Sequence, residues 1–223
     1  MYDQTLSFRA VFAALDQLVT GAGLTIALTV QAIVLGMMIA VACAWAKTNG
    51  PPWLRPAIGG YVEVIRNTPF LLQLYFFFFG LPSLGIRLPP TQAALLTMVI
   101  NLGAYATEIV RAGIESIPHG QTEAGRALGL RPIHIFRLII LPPTLRAIYQ
   151  PLAAQFTLVL LGSSITSAIS ANELTSAANL LQSINFRTFE TYVVVTFMYL
   201  AMVFVFRGLL AIGYALTVRR GSP

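Results

Sequence analysis

Few residues in this sequence have the chemistry for catalysis, and their spacing supplies no complete reaction centre. Cys43 is the single cysteine, which excludes an internal disulfide and a multi-thiol metal site. His119 and His134 are the only histidines, and no acidic cluster surrounds them, so a metal centre lacks ligands. A phosphate-cradling P-loop needs Gly-Lys-Ser/Thr, its lysine reaching the phosphates. Lys47 is the only lysine, and although Thr48 follows it, Ala46 precedes it. Any nucleotide chemistry therefore belongs to another polypeptide. Ser163 and Ser164 could supply the nucleophile of an intramembrane protease. Both histidines, however, lie in a charged connecting segment, too far away to serve as the base.

The informative spacing lies in residues 108–146, which hold three acids and five arginines and therefore belong in water. Pro118 and Gly120 break the helix that enters this segment. From Gln121 to Leu130, QTEAGRALGL can form a short helix with Ala124, Ala127 and Leu128 on one face. Gly125 and Gly129, four apart, leave another side nearly bare and cost the helix about 1 kcal/mol each relative to alanine. Arg131-Pro132 then starts a new helix, with proline tolerated in a first turn. Phe136, Ile139 and Ile140 form its apolar face, and Pro142-Pro143 is expected to end it. A bare ridge of this kind suits a groove in a partner protein. It equally suits an amphipathic surface helix lying on lipid head groups.

The elements that must carry this segment follow from composition. The chain is 57% hydrophobic and 10% charged, with a mean hydropathy of +0.75. Soluble domains carry about 25% charged residues, so neither a soluble fold nor a disordered chain can be built from it. An all-α integral membrane protein follows, because lipid offers no partner to an unpaired backbone group. A span needs roughly 20 mostly apolar residues. Five are expected: 24–46, 67–86, 88–107, the stretch from Arg146 to Asn172, and Thr191 to Val218. With the N-terminus outside and the C-terminus cytoplasmic, eleven basic residues face inward (Lys47, Arg55, Arg66, Arg111, Arg126, Arg131, Arg137, Arg146, Arg207, Arg219, Arg220). Three face outward (Arg9, Arg87, Arg187), which satisfies the positive-inside bias. The net charge of +6 then reads as topology and not as nucleic-acid binding.

Residues 1–17 lack a basic start and a cleavage site, so they are not a secretory signal. Phe8, Val11, Phe12, Leu15 and Leu18 recur at helical spacing, as expected of an outer interfacial helix or of one packed on the bundle. KTNGPPWLRPAIGG at 47–60 is expected to be a short inner turn, and GLPSLGIRLPP at 80–90 a brief outer one. No repeat is evident, and residues 1–223 are expected to form one domain.

Several polar residues admit two readings. Arg66-Asn67-Thr68-Pro69 suits a hinge or gate, or a plain helix start. Glu108 and Arg111, three apart, suit a local ion pair or a gate. Ser163, Ser164, Thr166 and Ser167 suit close helix packing or, with Asn101 and Tyr105, a pore lining. Arg207 suits snorkelling toward the inner boundary, and the Phe76–Phe79 run suits lipid and neighbouring helices. Glu173 and Glu190 are outer charges, solvated or facing a partner.

Glu123-Ala124-Gly125, then Gly129, then Ile139, Leu141 and Pro142 resemble the EAA loop of ABC importer permeases. That pattern is Glu-Ala-small, three residues, Gly, nine residues, Ile-x-Leu-Pro, and every fixed position fits. Further stretches are similar to the polar amino-acid uptake branch: GLTI at 23–26, EVIRNTP at 63–69, GLP at 80–82, AYATEIVRAG at 104–113 and ANEL at 171–174. Where that branch often has Leu-Lys-x-Thr-Ser-Leu, this chain reads Leu161-Gly162-Ser163-Ser164-Ile165. The resemblance implies a type I ABC importer permease (MetI-like) fold in a bacterial cytoplasmic (inner) membrane. It further implies that the chain transports amino acids without catalysing a reaction or binding a cofactor. The implied partners are a second permease (copy or paralogue), two ATP-binding subunits carrying ATP and Mg, and an extracytoplasmic solute-binding protein. Glu123, Ala124, Gly125, Ala127 and Gly129 are implied to couple to the ATPase. Arg66, Asn67, Thr68, Asn101, Tyr105, Ser163, Ser164 and Ser167 are candidates for the gate or substrate path. A stand-alone carrier or channel would instead show mid-membrane ionisable residues or inverted repeats, and neither is clear.

Overall fold

The computed structural model describes residues 6–217, and among these every regular element is helical. Four helical stretches are long and apolar enough to cross a membrane: Leu15–Thr48, Pro90–Glu115, Pro132–Ile169 and Thr188–Leu216. Leu54–Arg66 and Phe70–Leu84 pass the same test together, bent by 108° at their junction. The expected span 67–86 overlaps only the second member of this pair, Phe70–Leu84. In chain order the α-helices are α1 (Arg9–Ala13), α2 (Leu15–Asn49), α3 (Leu54–Arg66), α4 (Phe70–Tyr75) and α5 (Pro90–Glu115). They continue with α6 (His119–Ala127), α7 (Pro132–His134), α8 (Leu141–Gly162), α9 (Leu174–Asn185) and α10 (Thr188–Thr217).

Three local expectations need correction. Residues 54–60 are not a turn: α3 starts at Leu54, leaving only a short break after α2. Pro56 falls in the first turn of α3, where its missing N–H would have had no helical partner. Gly59 and Gly60 are carried because Ile58, Val62 and Ile65 are buried on one stripe. The loop helix α6 begins at His119 and ends at Ala127, displaced toward the N-terminus from 121–130. Pro142 and Pro143 do not end a helix either. They open α8 directly after the π-helical turn Ile135–Ile140, whose wider hydrogen-bond pattern accommodates a missing donor.

The chain divides into two compact units, Met1–Ile33 with Pro69–Val99 and Thr157–Phe206, and Val34–Thr68 with Ile100–Phe156 and Arg207–Pro223. In the first, Val11 and Leu18 are fully buried against Leu174, Ala178, Leu181 and Val195. The Ser7 amide donates to Glu190 Oε1 at 3.1 Å, so the N-terminal segment packs on its own unit, while Phe12 and Leu15 remain exposed. In the second unit, Ile58, Val62 and Ile65 of α3 pack on Ala104 of α5. Ala44, Val110 and Ile148 form a further core joining α2, α5 and α8.

Candidate functional site

The loop joining α5 to α8 is built around two glycines. The α6 helix starts after Pro118, whose extended backbone stands at its N-cap. It ends in a Schellman motif: the Leu130 amide donates to Gly125 O at 3.1 Å and the Gly129 amide to Arg126 O at 2.9 Å. That closure places Gly129 at φ +73, a left-handed conformation that glycine adopts without steric cost. Gly125 is buried. A Cβ there would stand 2.7 Å from Ile139 Cδ1 and 3.2 Å from Ile135 Cγ1, so its bare face seats the returning π-helical turn. Of the expected coupling residues, Glu123, Ala124, Ala127 and Gly129 are exposed and Gly125 faces inward. Because the helix begins at His119, Glu123 lies beyond its first turn, outside the reach of the N-terminal dipole. Leu128, placed by sequence on the apolar face with Ala124 and Ala127, is 79% exposed at the loop's tip.

The loop's roots are held tightly. Gly113 of α5 touches Ile148 of α8 so closely that any Cβ would overlap the Ile148 Cγ2 methyl. Thr144 Oγ1 donates to Gly113 O across the same contact at 3.5 Å. One turn earlier, Glu108 Oε2 accepts from Arg111 Nη2 at 2.6 Å and Nε at 3.0 Å, the pair expected from their spacing. Sequence reasoning missed the other partner, Lys47 Nζ of α2, which donates to Glu108 Oε1 at 2.7 Å. Arg111 Nη1 also reaches Glu115 Oε2 at 2.5 Å.

The gate candidates divide between the units. Arg66, Asn67, Thr68, Asn101 and Tyr105 all lie in the second. Arg66 and Tyr105 come together: the guanidinium carbon lies 5.4 Å from the ring centroid, and Tyr105 Oη donates to Arg66 O at 3.4 Å. Asn67 Nδ2 and Thr68 Oγ1 return to Glu63 O and Val64 O at 2.9 and 2.8 Å, fastening the break after α3. Asn101 stands one turn before Tyr105 on α5. Ser163, Ser164 and Ser167 lie in the first unit, in the 3-10 segment Ser163–Ile169. Their hydroxyls donate to Leu160 O, Leu161 O and Ser164 O at 2.7 to 2.8 Å. These donors are spent on their own backbone, as in a packed turn, and Ser163 is fully buried.

Glu173 and Glu190 are not solvated charges, being 1% and 4% exposed. Glu173 is the N-cap of α9, its oxygens accepting from Ser176 N at 2.6 Å, Thr175 N at 2.8 Å and Tyr199 Oη at 2.7 Å. Thr25 Oγ1 of α2 accepts from Leu174 N at 3.0 Å, and Glu173 O accepts from Ala177 N at 3.0 Å. The amides of Leu174, Thr175 and Ser176, which have no acceptor within the helix, are therefore each paired, and that of Ala177 makes the first regular helical bond. Gly21 makes the approach possible, since a Cβ there would lie 3.0 Å from Leu174 Cα. Burial pushes the Glu173 carboxyl above the usual carboxylate range, while its donors pull the other way. The sequence cue was Glu three residues before Ser176, an N-cap position seldom taken by Glu.

Comparison with known proteins shows the family and the fold. The family described as "Binding-protein-dependent transport system inner membrane component" matches residues 32–214. The glutamine transport system permease protein GlnP of Escherichia coli (strain K12) is 35% identical over 199 residues, covering 88% of this chain and 90% of that protein. The L-cystine transport system permease protein TcyB of Bacillus subtilis (strain 168) is 37% identical over 150 residues, covering 67% of this chain and 64% of that one. A crystal structure of an amino acid ABC transporter with histidines superposes with a TM-score of 0.87 at 32% identity, over 97% of this chain and 100% of that one. The MetNI methionine ABC transporter, in an inward-facing conformation, shares the fold at 20% identity with a TM-score of 0.69, over 95% and 99% of the two chains. The chain belongs to the family of binding-protein-dependent transport system inner membrane components, the non-catalytic permease subunits of ABC transporters.

Proposed function

We propose that this chain is the permease subunit of an ATP-driven importer of amino acids, forming the substrate path and coupling to a separate ATPase through residues 121–142. The N-terminus lies outside and the C-terminus in the cytoplasm of a bacterial inner membrane, with five spans counting the bent pair as one. The whole chain acts as a single translocation domain. Its partners are a second permease, two ATP-binding subunits that hold ATP and Mg, and a solute-binding protein that delivers the substrate.

The observation that carries this reading is the tip of the α5–α8 loop. A helix of nine residues is too short to be stable alone. Gly125 seats it on Ile135 and Ile139, and the Gly129 closure presents Leu128 outward. Ala124, Ala127 and Leu128 are then the surface for the ATPase, and Glu123 is available to a basic partner residue. Gly125 and Gly129 contribute by shaping that surface. Arg66, Asn67, Thr68, Asn101 and Tyr105 are the gate or substrate-path residues of the second unit, and Ser163, Ser164 and Ser167 those of the first. The test is uptake into vesicles of a radiolabelled mixture of the twenty amino acids. Uptake is expected only with the ATPase, ATP and binding protein present. Uptake by this chain alone, or labelling of the 121–130 loop from outside whole cells, would overturn the assignment.

A further inference from the structure

The half of α2 that ends at Asn49 has two unlike faces. Val34, Met38, Val41 and Trp45 form a stripe of large side chains, each more than half exposed. The opposite face carries Gly36, Ala40 and Ala44, four apart and buried. Gly36 lies against Leu102 of α5, where a Cβ would meet the Leu102 side chain at 3.0 Å. Ala44 packs into the core with Val110 and Ile148. These small residues bring α2 and α5 close, with Leu102 in the gap at Gly36 and Ile39 in the gap at Gly103.

One ion pair adds a directional tie near the loop's root. Lys47 Nζ to Glu108 Oε1, at 2.7 Å, is the one ion pair among the described residues that joins two different helices. The second oxygen of Glu108 is held by two nitrogens of Arg111. Such a two-pronged grip fixes the carboxylate's orientation before Lys47 meets it. Side-chain exposures of 23% for Lys47, 19% for Glu108 and 28% for Arg111 reduce screening by water and salt. The network runs along α5 from Glu108, past Gly113, to Glu115, the last residue of α5 before the chain turns into α6.

We propose that Glu108, aimed by Arg111, and Lys47 form a catch that ties α2 to α5 at the root of the coupling loop. A displacement of α6 is then passed to α2 as well as to α5. Without the catch, the tie between α2 and α5 at the loop's root rests largely on apolar packing, and part of the motion is lost. This inference rests on the coupling role proposed above, and both lysine and glutamate act as positioning residues.

The test uses the whole transporter, purified with its ATPase and binding protein and reconstituted in vesicles, with the same radiolabelled amino-acid mixture. Substrate moved per ATP hydrolysed is compared among variants. Lys47→Met is expected to lower this ratio by about threefold or more, on the scale of a partly buried ion pair, while the ATPase rate stays near the parent's. Lys47→Arg, which keeps the charge, recovers most of the ratio. Arg111→Met, which leaves both partners but frees the carboxylate, falls between them. A parental ratio in Lys47→Met, or a loss in Lys47→Arg as large as in Lys47→Met, overturns the catch. If the unaltered transporter shows no ATP-dependent uptake, the coupling role itself fails and the catch fails with it.

Discussion

Gly125 and Ile139 face each other across the coupling loop, with the Ile139 terminal methyl 2.7 Å from where a residue-125 Cβ would stand. That one contact accounts for two fixed positions of the EAA pattern, since the small residue exists to receive the isoleucine. The obstructing atom is the free end of a flexible side chain, which can turn aside for one methyl. Gly125→Ala is therefore expected to fold and transport normally. Gly125→Leu, by contrast, overpacks the seat and costs about 1–3 kcal/mol. Recovery of the complex with the ATPase, together with thermal unfolding in detergent, distinguishes the two.

Leu128 and Gly129 predict different failures at neighbouring positions. Leu128→Glu places a charge on a 79% exposed site, so unfolding is unchanged while ATPase co-purification falls by tenfold or more, about 1.4 kcal/mol. Gly129→Ala instead strains the left-handed closure by about 1–2 kcal/mol. Gly129→Asn, which tolerates that conformation better, retains more complex. Equal loss in the alanine and asparagine variants would show that backbone conformation is not what matters there.

At the loop's root, Gly113→Ala drives a methyl into Ile148 and is expected to destabilise by about 1–3 kcal/mol. Ile148→Ala removes the obstructing Cγ2 methyl with the rest of the branch, so the double variant should lose less than the two single losses together. Thermal unfolding of the four proteins gives the interaction energy directly. Simple additivity would mean that the two side chains are not in contact.

Glu173 makes stability depend on pH. Its carboxyl is raised in the folded state chiefly by burial, so folding favours the protonated form. The associated stability is fully present below the ordinary carboxylate range of roughly pH 4 to 5 and is lost as pH rises through the raised value. Melting temperatures measured across that interval and upward should fall more steeply for the parent than for Glu173→Gln. Parallel curves would contradict the assignment.

The spans were legible because lipid imposes a simple demand: about twenty residues without charge. Boundaries set by proline and glycine were less so. Pro56 and Pro142 look like breakers in sequence, yet each falls where a helix start or a widened turn does not need its donor. The Glu108–Arg111 pair was readable from spacing along one helix. Lys47 was not, because its nearness to Glu108 depends on how α2 and α5 pack. Glu173 and Glu190 looked like surface charges, since sequence does not report that Thr175, Ser176, Tyr199 and Ser7 supply their donors. Gly129 was singled out for its lack of bulk, whereas what the structure shows there is a positive φ that favours glycine.

The saturated first turn of α9 has a dynamic consequence. Helix starts usually fray, because their leading amides turn to solvent for an acceptor. Here the amides of Leu174, Thr175, Ser176 and Ala177 already have one each, supplied by Thr25 and Glu173. Deuterium should therefore enter these four positions slowly, at rates resembling the helix interior. The beginning of α9 is an anchorage.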